Sequence, residues 1–235
     1  MALPKVMVPK FKIKLPSSGK EVTYRPFLVK EEKALLMAVE AGDQETIIMA
    51  VKDAITACVE NIDVSKLPYF DVEYLFLHLR AKSIGEIVKF NYRHAHGVNR
   101  AGVECKAATE VEVNIDDVEV KRIEGHTHKF MIDDKYGLVM RYPTIDTIRQ
   151  FAAKNINEIE IMASCIDSVY DADNVYPAET LAEAVDFIQN MNPKQYEKLS
   201  KFFETMPKLQ HEIEYKCVGC GQVDKVKLDG VSSFF

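Results

Sequence analysis

Two cysteines near the end of the chain, in Lys216-Cys217-Val218-Gly219-Cys220-Gly221, restrict the possible folds more than any other feature of the sequence. They sit between two stretches of alternating apolar residues, the pattern of a hairpin whose tip is a zinc knuckle. Two thiolates separated by two residues can grip one tetrahedral ion, and Gly221 permits the backbone angles of a tight turn. A closed site needs two further ligands. Cys105 is one candidate, and His94 and His96 in Asn91-Tyr92-Arg93-His94-Ala95-His96 compete for the other place. His126 and His128, in Glu124-Gly125-His126-Thr127-His128, are further candidates. The plainer reading makes Cys217 and Cys220 turn residues, or a thiol pair without an ion. The C-x2-C-G spacing between strands favours structural zinc, one per chain. A thioredoxin-like redox pair is disfavoured, because no expected helix N-terminus meets Cys217 to lower its pKa.

At 235 residues, 47% of them apolar, the chain can bury one sizeable core or two small ones. A formal charge of −6 and the lack of a local basic patch argue against a nucleic-acid partner. Prolines and lysines break up Met1 to Lys10, and no apolar run approaches the length that crosses a bilayer. A cytosolic protein without a membrane partner is expected. Cys58 and Cys165 fall on the apolar faces of expected helices, where burial as small hydrophobic side chains is the default.

Along the chain, Lys10 to Arg25 reads as a hairpin, with Phe11, Ile13 and Leu15 alternating before Ser17-Ser18-Gly19 and Val22 and Tyr24 after it. The spacing then predicts amphipathic helices over Lys30 to Ala41, Gln44 to Val59 after a capping Asp43, and Asp71 to Ala81. Val72, Leu75, Phe76 and Leu79 mark the inner face of the third. Period two returns in Glu86 to Tyr92 and in Val111, Val113 and Ile115, and Tyr136 to Tyr142 is another strand candidate. Helices are expected over Thr144 to Ala153, Asn157 to Tyr170, Pro177 to Met191 and Pro193 to Met206, the last opened by the capping pair Asn192-Pro193. His211 to Lys216 and Val223 to Leu228 flank the cysteine turn.

No phosphate-cradling glycine loop, Gly-x-Ser-x-Gly or His-Glu-x-x-His occurs, and the carboxylates fall along helix faces. Four protein ligands would leave zinc no open position for water or substrate. The sequence therefore reads as that of a binding protein, not an enzyme.

Several blocks are similar to the baseplate hub proteins of T-even-type contractile-tailed bacteriophages. They are Met1-Ala2-Leu3-Pro4-Lys5, Tyr24-Arg25-Pro26-Phe27-Leu28-Val29-Lys30-Glu31-Glu32-Lys33, Phe70-Asp71-Val72-Glu73-Tyr74-Leu75-Phe76 and Arg80-Ala81-Lys82-Ser83-Ile84-Gly85-Glu86. Met140-Arg141-Tyr142-Pro143, Met206-Pro207-Lys208-Leu209, the Cys217/Cys220 pair and Phe234-Phe235 extend the resemblance over nearly the whole chain. It implies a non-enzymatic protein that serves formation of the baseplate hub, as a subunit or as an assembly chaperone. The partners it implies are other hub proteins, met in the host cytoplasm during assembly and in the tail baseplate of the virion. The chain departs from the family pattern upstream, where the family carries a second C-x2-C and this sequence has Cys105 behind a longer loop with His94 and His96.

The expected architecture is α+β: an N-terminal hairpin and helices over 1–85, a discontinuous zinc-ribbon-like β unit from 86–123 and 207–235, and a mainly helical insertion over 124–206. Large apolar groups where the chain turns or ends are core plugs or interface anchors, which marks Phe27, Phe234 and Phe235 as candidate partner-binding residues. The rival function from a different class is a zinc-ribbon adaptor or regulator of host transcription machinery. Co-purification with hub proteins, or with nucleic acid or polymerase, separates the two.

Overall fold

The structure, a computed structural model, describes residues 6–93, 105–154 and 157–230. The expected first hairpin is present: β1 (Phe11–Lys14) pairs antiparallel with β2 (Glu21–Tyr24), Phe11 opposite Tyr24. Three helices follow, α1 (Val29–Ala41), α2 (Gln44–Cys58) and α3 (Tyr69–Ser83). Asp43 caps α2, accepting from the backbone N–H of Thr46 at 2.9 Å.

The start of α1 is held by Glu31, which accepts from the backbone N–H of Leu28 at 2.8 Å and from the Arg25 guanidinium at 2.9 Å. Burial pushes the Glu31 carboxyl up, but Arg25 and the Leu28 N–H overcome it and hold the group below the usual carboxylate range. A carboxylate with a depressed folded pKa adds stability above its unfolded pKa of about 4.3, and that contribution is lost as pH falls through the folded value. Glu31→Gln is therefore expected to cost about 1 to 3 kcal/mol at neutral pH and less at about pH 3. Urea unfolding at the two pH values measures this, and equal losses at both would contradict it.

Although its spacing predicts one apolar face, α3 is buried on every side. Val72, Leu75, Phe76 and Leu79 enter a first core with Leu15, Val22 and Ile55, while Leu77 and Ala81 enter a second. Phe70 meets Tyr142 edge-on, with ring centroids 5.0 Å apart. Even Asp71 is fully buried, its carboxylate accepting from the backbone N–H and the hydroxyl of Ser17. That contact fastens the first hairpin to α3 and satisfies a carboxylate whose burial would otherwise be costly.

β3 (Ile87–Tyr92) and β4 (Thr109–Asn114) form a second hairpin, with Phe90 opposite Val111. Short strands β5 (Glu119–Lys121), β6 (Lys129–Met131) and β7 (Gly137–Met140) come next, then α4 (Ile145–Lys154) and α5 (Glu158–Ser164). The chain continues through β8 (Ile166–Tyr170), β9 (Val175–Pro177), α6 (Leu181–Gln189), α7 (Pro193–Thr205), β10 (Lys208–Lys216) and β11 (Val223–Asp229). The described residues thus form a mixed α/β protein of seven α-helices and small antiparallel sheets, and no helix among them is long and apolar enough to cross a membrane.

Two expected helices are corrected. The run from Asn157 to Tyr170 is not one helix: α5 ends at Ser164, Cys165 caps it, and β8 becomes an inner strand of a sheet ordered β6-β7-β8-β9. Pro177 does not open a helix either. It ends the edge strand β9, where a missing N–H breaks no ladder bond, and α6 begins after Thr180, whose hydroxyl accepts from Glu183 N–H. Residues 124–206 therefore combine helices with a four-stranded sheet around a third core of Leu138, Met140, Ile166, Leu199 and Phe202.

The second core sets up the site. Val88, Val111 and Val113 of one hairpin pack with Ile213, Tyr215 and Leu228 of the hairpin formed by β10 and β11, which brings the segment leading into β4 beside the turn between β10 and β11. On its other side, β10 pairs with β5.

Candidate metal centre

Between β10 and β11 the chain curls tightly. Cys217 N–H donates to Gln222 O and Gly221 N–H donates to Cys217 O, both at 2.8 Å, and Gly221 adopts φ 75°, where a side chain would be strained. The curl turns Cys217 and Cys220 towards the segment leading into β4. There the Cys105 Sγ lies 3.7 Å from the Cys217 Sγ, and the three sulfurs lie within 4.8 Å of one another.

The spacing is informative. Bonds of about 2.3 Å from a tetrahedral zinc separate two sulfurs by roughly 3.8 Å, whereas a disulfide holds them about 2.05 Å apart. The 3.7 Å separation suits two ligands of one ion. Cys217 is 2% exposed and Cys105 9%, so little water reaches them, while Cys220 is half-buried.

Two residues that sequence reasoning missed make the approach possible. A Cβ at Gly219 would stand 2.5 Å from that of Ala107 and 3.0 Å from the Cys105 Sγ, closer than packed atoms tolerate. Thr109 accepts the Val218 N–H on its hydroxyl at 3.1 Å, tying β4 to the cysteine turn. Tyr92 and Tyr215 stack at 5.8 Å beneath. Gly219 is visible inside the knuckle, but its role depends on a partner more than a hundred residues away.

Electrostatics favour ion binding. The backbone N–H of Cys220 above all, then that of Gly219 and the other two sulfurs, pull the Cys217 thiol down to about 6 against the opposing effect of burial. This lowering favours the thiolate, the form that binds metal. The turn's own N–H groups supply what the sequence expected only from a helix terminus. The Gln222 N–H pulls Cys220 down, but burial and the facing sulfurs of Cys217 and Cys105 outweigh it and raise that thiol. A cation among the three would remove this repulsion.

Other candidates lie elsewhere. His126 and His128 pack around Tyr142 and Phe202, with the His126 Nδ1 2.9 Å from the Thr205 hydroxyl and the His128 Nδ1 2.9 Å from Met140 O. Among the described residues, Cys105, Cys217 and Cys220 are the group of three or more such side chains placed to hold an ion. His94, His96, Phe234 and Phe235 lie outside the described residues. Phe27 is half-buried against the first core, its ring 5.6 Å from that of Phe76. Cys58 and Cys165 are buried, and burial pushes both thiols up to about 11, so neither is reactive at neutral pH.

A family model described as T4 bacteriophage base plate protein matches residues 8–235. No curated protein and no solved structure gives a significant match.

Proposed function

Because this chain belongs to the T4 bacteriophage base plate protein family, we propose that it is a non-enzymatic protein that builds or assembles the central hub of the tail baseplate. The observation that carries this reading is the extent of the match, which leaves only the first seven residues outside it. The family implies other baseplate proteins as partners, and hub components are the specific partners proposed. Assembly takes place in the host cytoplasm and ends in the virion tail.

The three-cysteine cluster serves this role as a structural metal centre. Cys105, Cys217 and Cys220 would hold zinc, with His94 or His96 as fourth ligand, and the two hairpins would form a discontinuous zinc-ribbon-like unit. A four-ligand site has no open position, so the ion would supply rigidity and no chemistry. A rigid tip suits a protein that docks against others, since ordering entropy is then spent in folding instead of binding.

Mass spectrometry of purified particles against infected-cell lysate tests the reading. A hub subunit should appear in particles at a fixed ratio to other baseplate proteins. An assembly chaperone should appear only in lysate, co-purifying with hub intermediates. A protein found in neither association would overturn the proposal.

A further inference from the structure

His126 and His128 lie away from the cysteine cluster, and the hydrogen bonds they make fix where each ring carries its proton. A turn from Ile123 presents the first of them, closed by His126 N–H donating to Ile123 O at 3.3 Å, with Gly125 at φ 84°. The His126 ring then stacks on Tyr142 and leans on Phe202, with centroids 5.6 and 4.9 Å away. The Thr205 hydroxyl has one proton and donates it to Lys201 O at 2.7 Å. At 2.9 Å from the His126 Nδ1 it therefore accepts, which puts the ring's N–H at Nδ1. Met140 O can only accept, so His128 also carries its proton at Nδ1. Each neutral ring keeps a bare Nε2, and that of His126 is buried without a hydrogen-bond partner.

We propose that His126 is an acid-released latch, which holds the turn before β6 against the end of α7 only while its imidazole is neutral.

A proton added at Nε2 would create a buried cationic N–H with no acceptor. The surroundings offer it no counter-charge. His128, in the same segment, is a second ring that titrates near neutrality. From α7 the ring meets Phe202 and Thr205, and Lys198 and Lys201 line the pocket beside those two. Tyr142, after β7, is the other titratable neighbour, and the charges of Arg122 and Asp71 act on it. Among the described residues no carboxylate pairs with His126, whereas His78 has the Asp116 Oδ1 at 3.6 Å. The faces of Tyr142 and Phe202 attract a cation, but burial, followed by repulsion from His128, prevails and holds the His126 pKa below the usual histidine value.

A histidine with a depressed folded pKa adds stability above its unfolded value of about 6.5, and that contribution is lost as pH falls through the folded value. Binding of one proton weakens the latch by at most about tenfold per pH unit in that window. The amides of His126 and Met140, which donate to Ile123 O and His128 O, report its opening.

Nuclear magnetic resonance of the full chain with nitrogen-15 in its histidine rings reads tautomer and titration together. His126 should carry its proton at Nδ1 at about pH 7.5 and titrate below about 6.5. Exchange protection of the His126 and Met140 amides, corrected for intrinsic rates, should fall by up to about tenfold for each pH unit below that. His126→Phe keeps an aromatic ring in the stack but cannot titrate, and it should remove most of this fall. An Nε2–H tautomer, titration at or above about 6.5, constant protection in the parent, or an equal fall in His126→Phe would overturn the proposal.

Discussion

Protein purified without added metal should carry about one equivalent of zinc, and Cys217→Ser should abolish it. The three sulfurs are already grouped at distances that suit an ion, and the turn's N–H groups already lower the Cys217 pKa towards the thiolate form. Zinc in small structural sites contributes roughly 10 to 16 kcal/mol at neutral pH, as much as the whole net stability of an ordinary domain. Losing it should therefore do more than loosen the tip. Hydrogen exchange should speed throughout β3, β4, β10 and β11, because the cysteines join those two hairpins, while α1 and α2 in the first core should change least. Elemental analysis reads the ion directly. A metal-free protein with full protection in both hairpins would refute the structural role.

The second large effect is expected at Phe76, which is 1% exposed at the centre of the first core and packs against Phe27. Phe76→Ala removes a buried ring that its neighbours can only partly replace, at about 3 to 5 kcal/mol. Tm should fall by roughly 6 to 20 °C. The manner of the loss matters as much as its size. Since α3 contributes to the first two cores and reaches Tyr142 beside the third, the variant should still melt in one transition. A calorimetric trace that splits, with residues 124–206 retaining the parent midpoint, would show that α3 does not couple the cores.

Elements with a local cause were legible in the sequence. The first hairpin follows from alternation around Gly19, and α2 and α7 follow from periodicity plus the caps Asp43 and Asn192, each of which makes the expected backbone contacts. The strand β8 was hidden because Ile166, Val169 and Tyr170 satisfy helical spacing and continue the apolar series of α5 without a breaker. What decides for the strand is pairing with β7 and β9, which no local pattern contains. The encirclement of α3 was hidden for a similar reason: a buried Asp71 looks polar until Ser17 is seen to satisfy it. At the candidate metal centre the grouping of Cys217 and Cys220 with Cys105 was legible by type and spacing. The enabling contacts of Gly219 and Thr109 were not, because each exists only once the two hairpins meet.

The wide separation of the clustered cysteines also sets an order in time. Cys105 precedes Cys217 by 112 positions, so on a ribosome adding about 5 to 20 residues per second the first sulfur waits on the order of ten seconds for its partners. The contacts of the first core lie almost entirely within the N-terminal third of the chain and can form during that interval, whereas closing the cysteine cluster must follow the slow search of a long loop. Capture of an ion by all three sulfurs would therefore have to follow synthesis of almost the whole chain, and a chain truncated before Cys217 would lack two of the three.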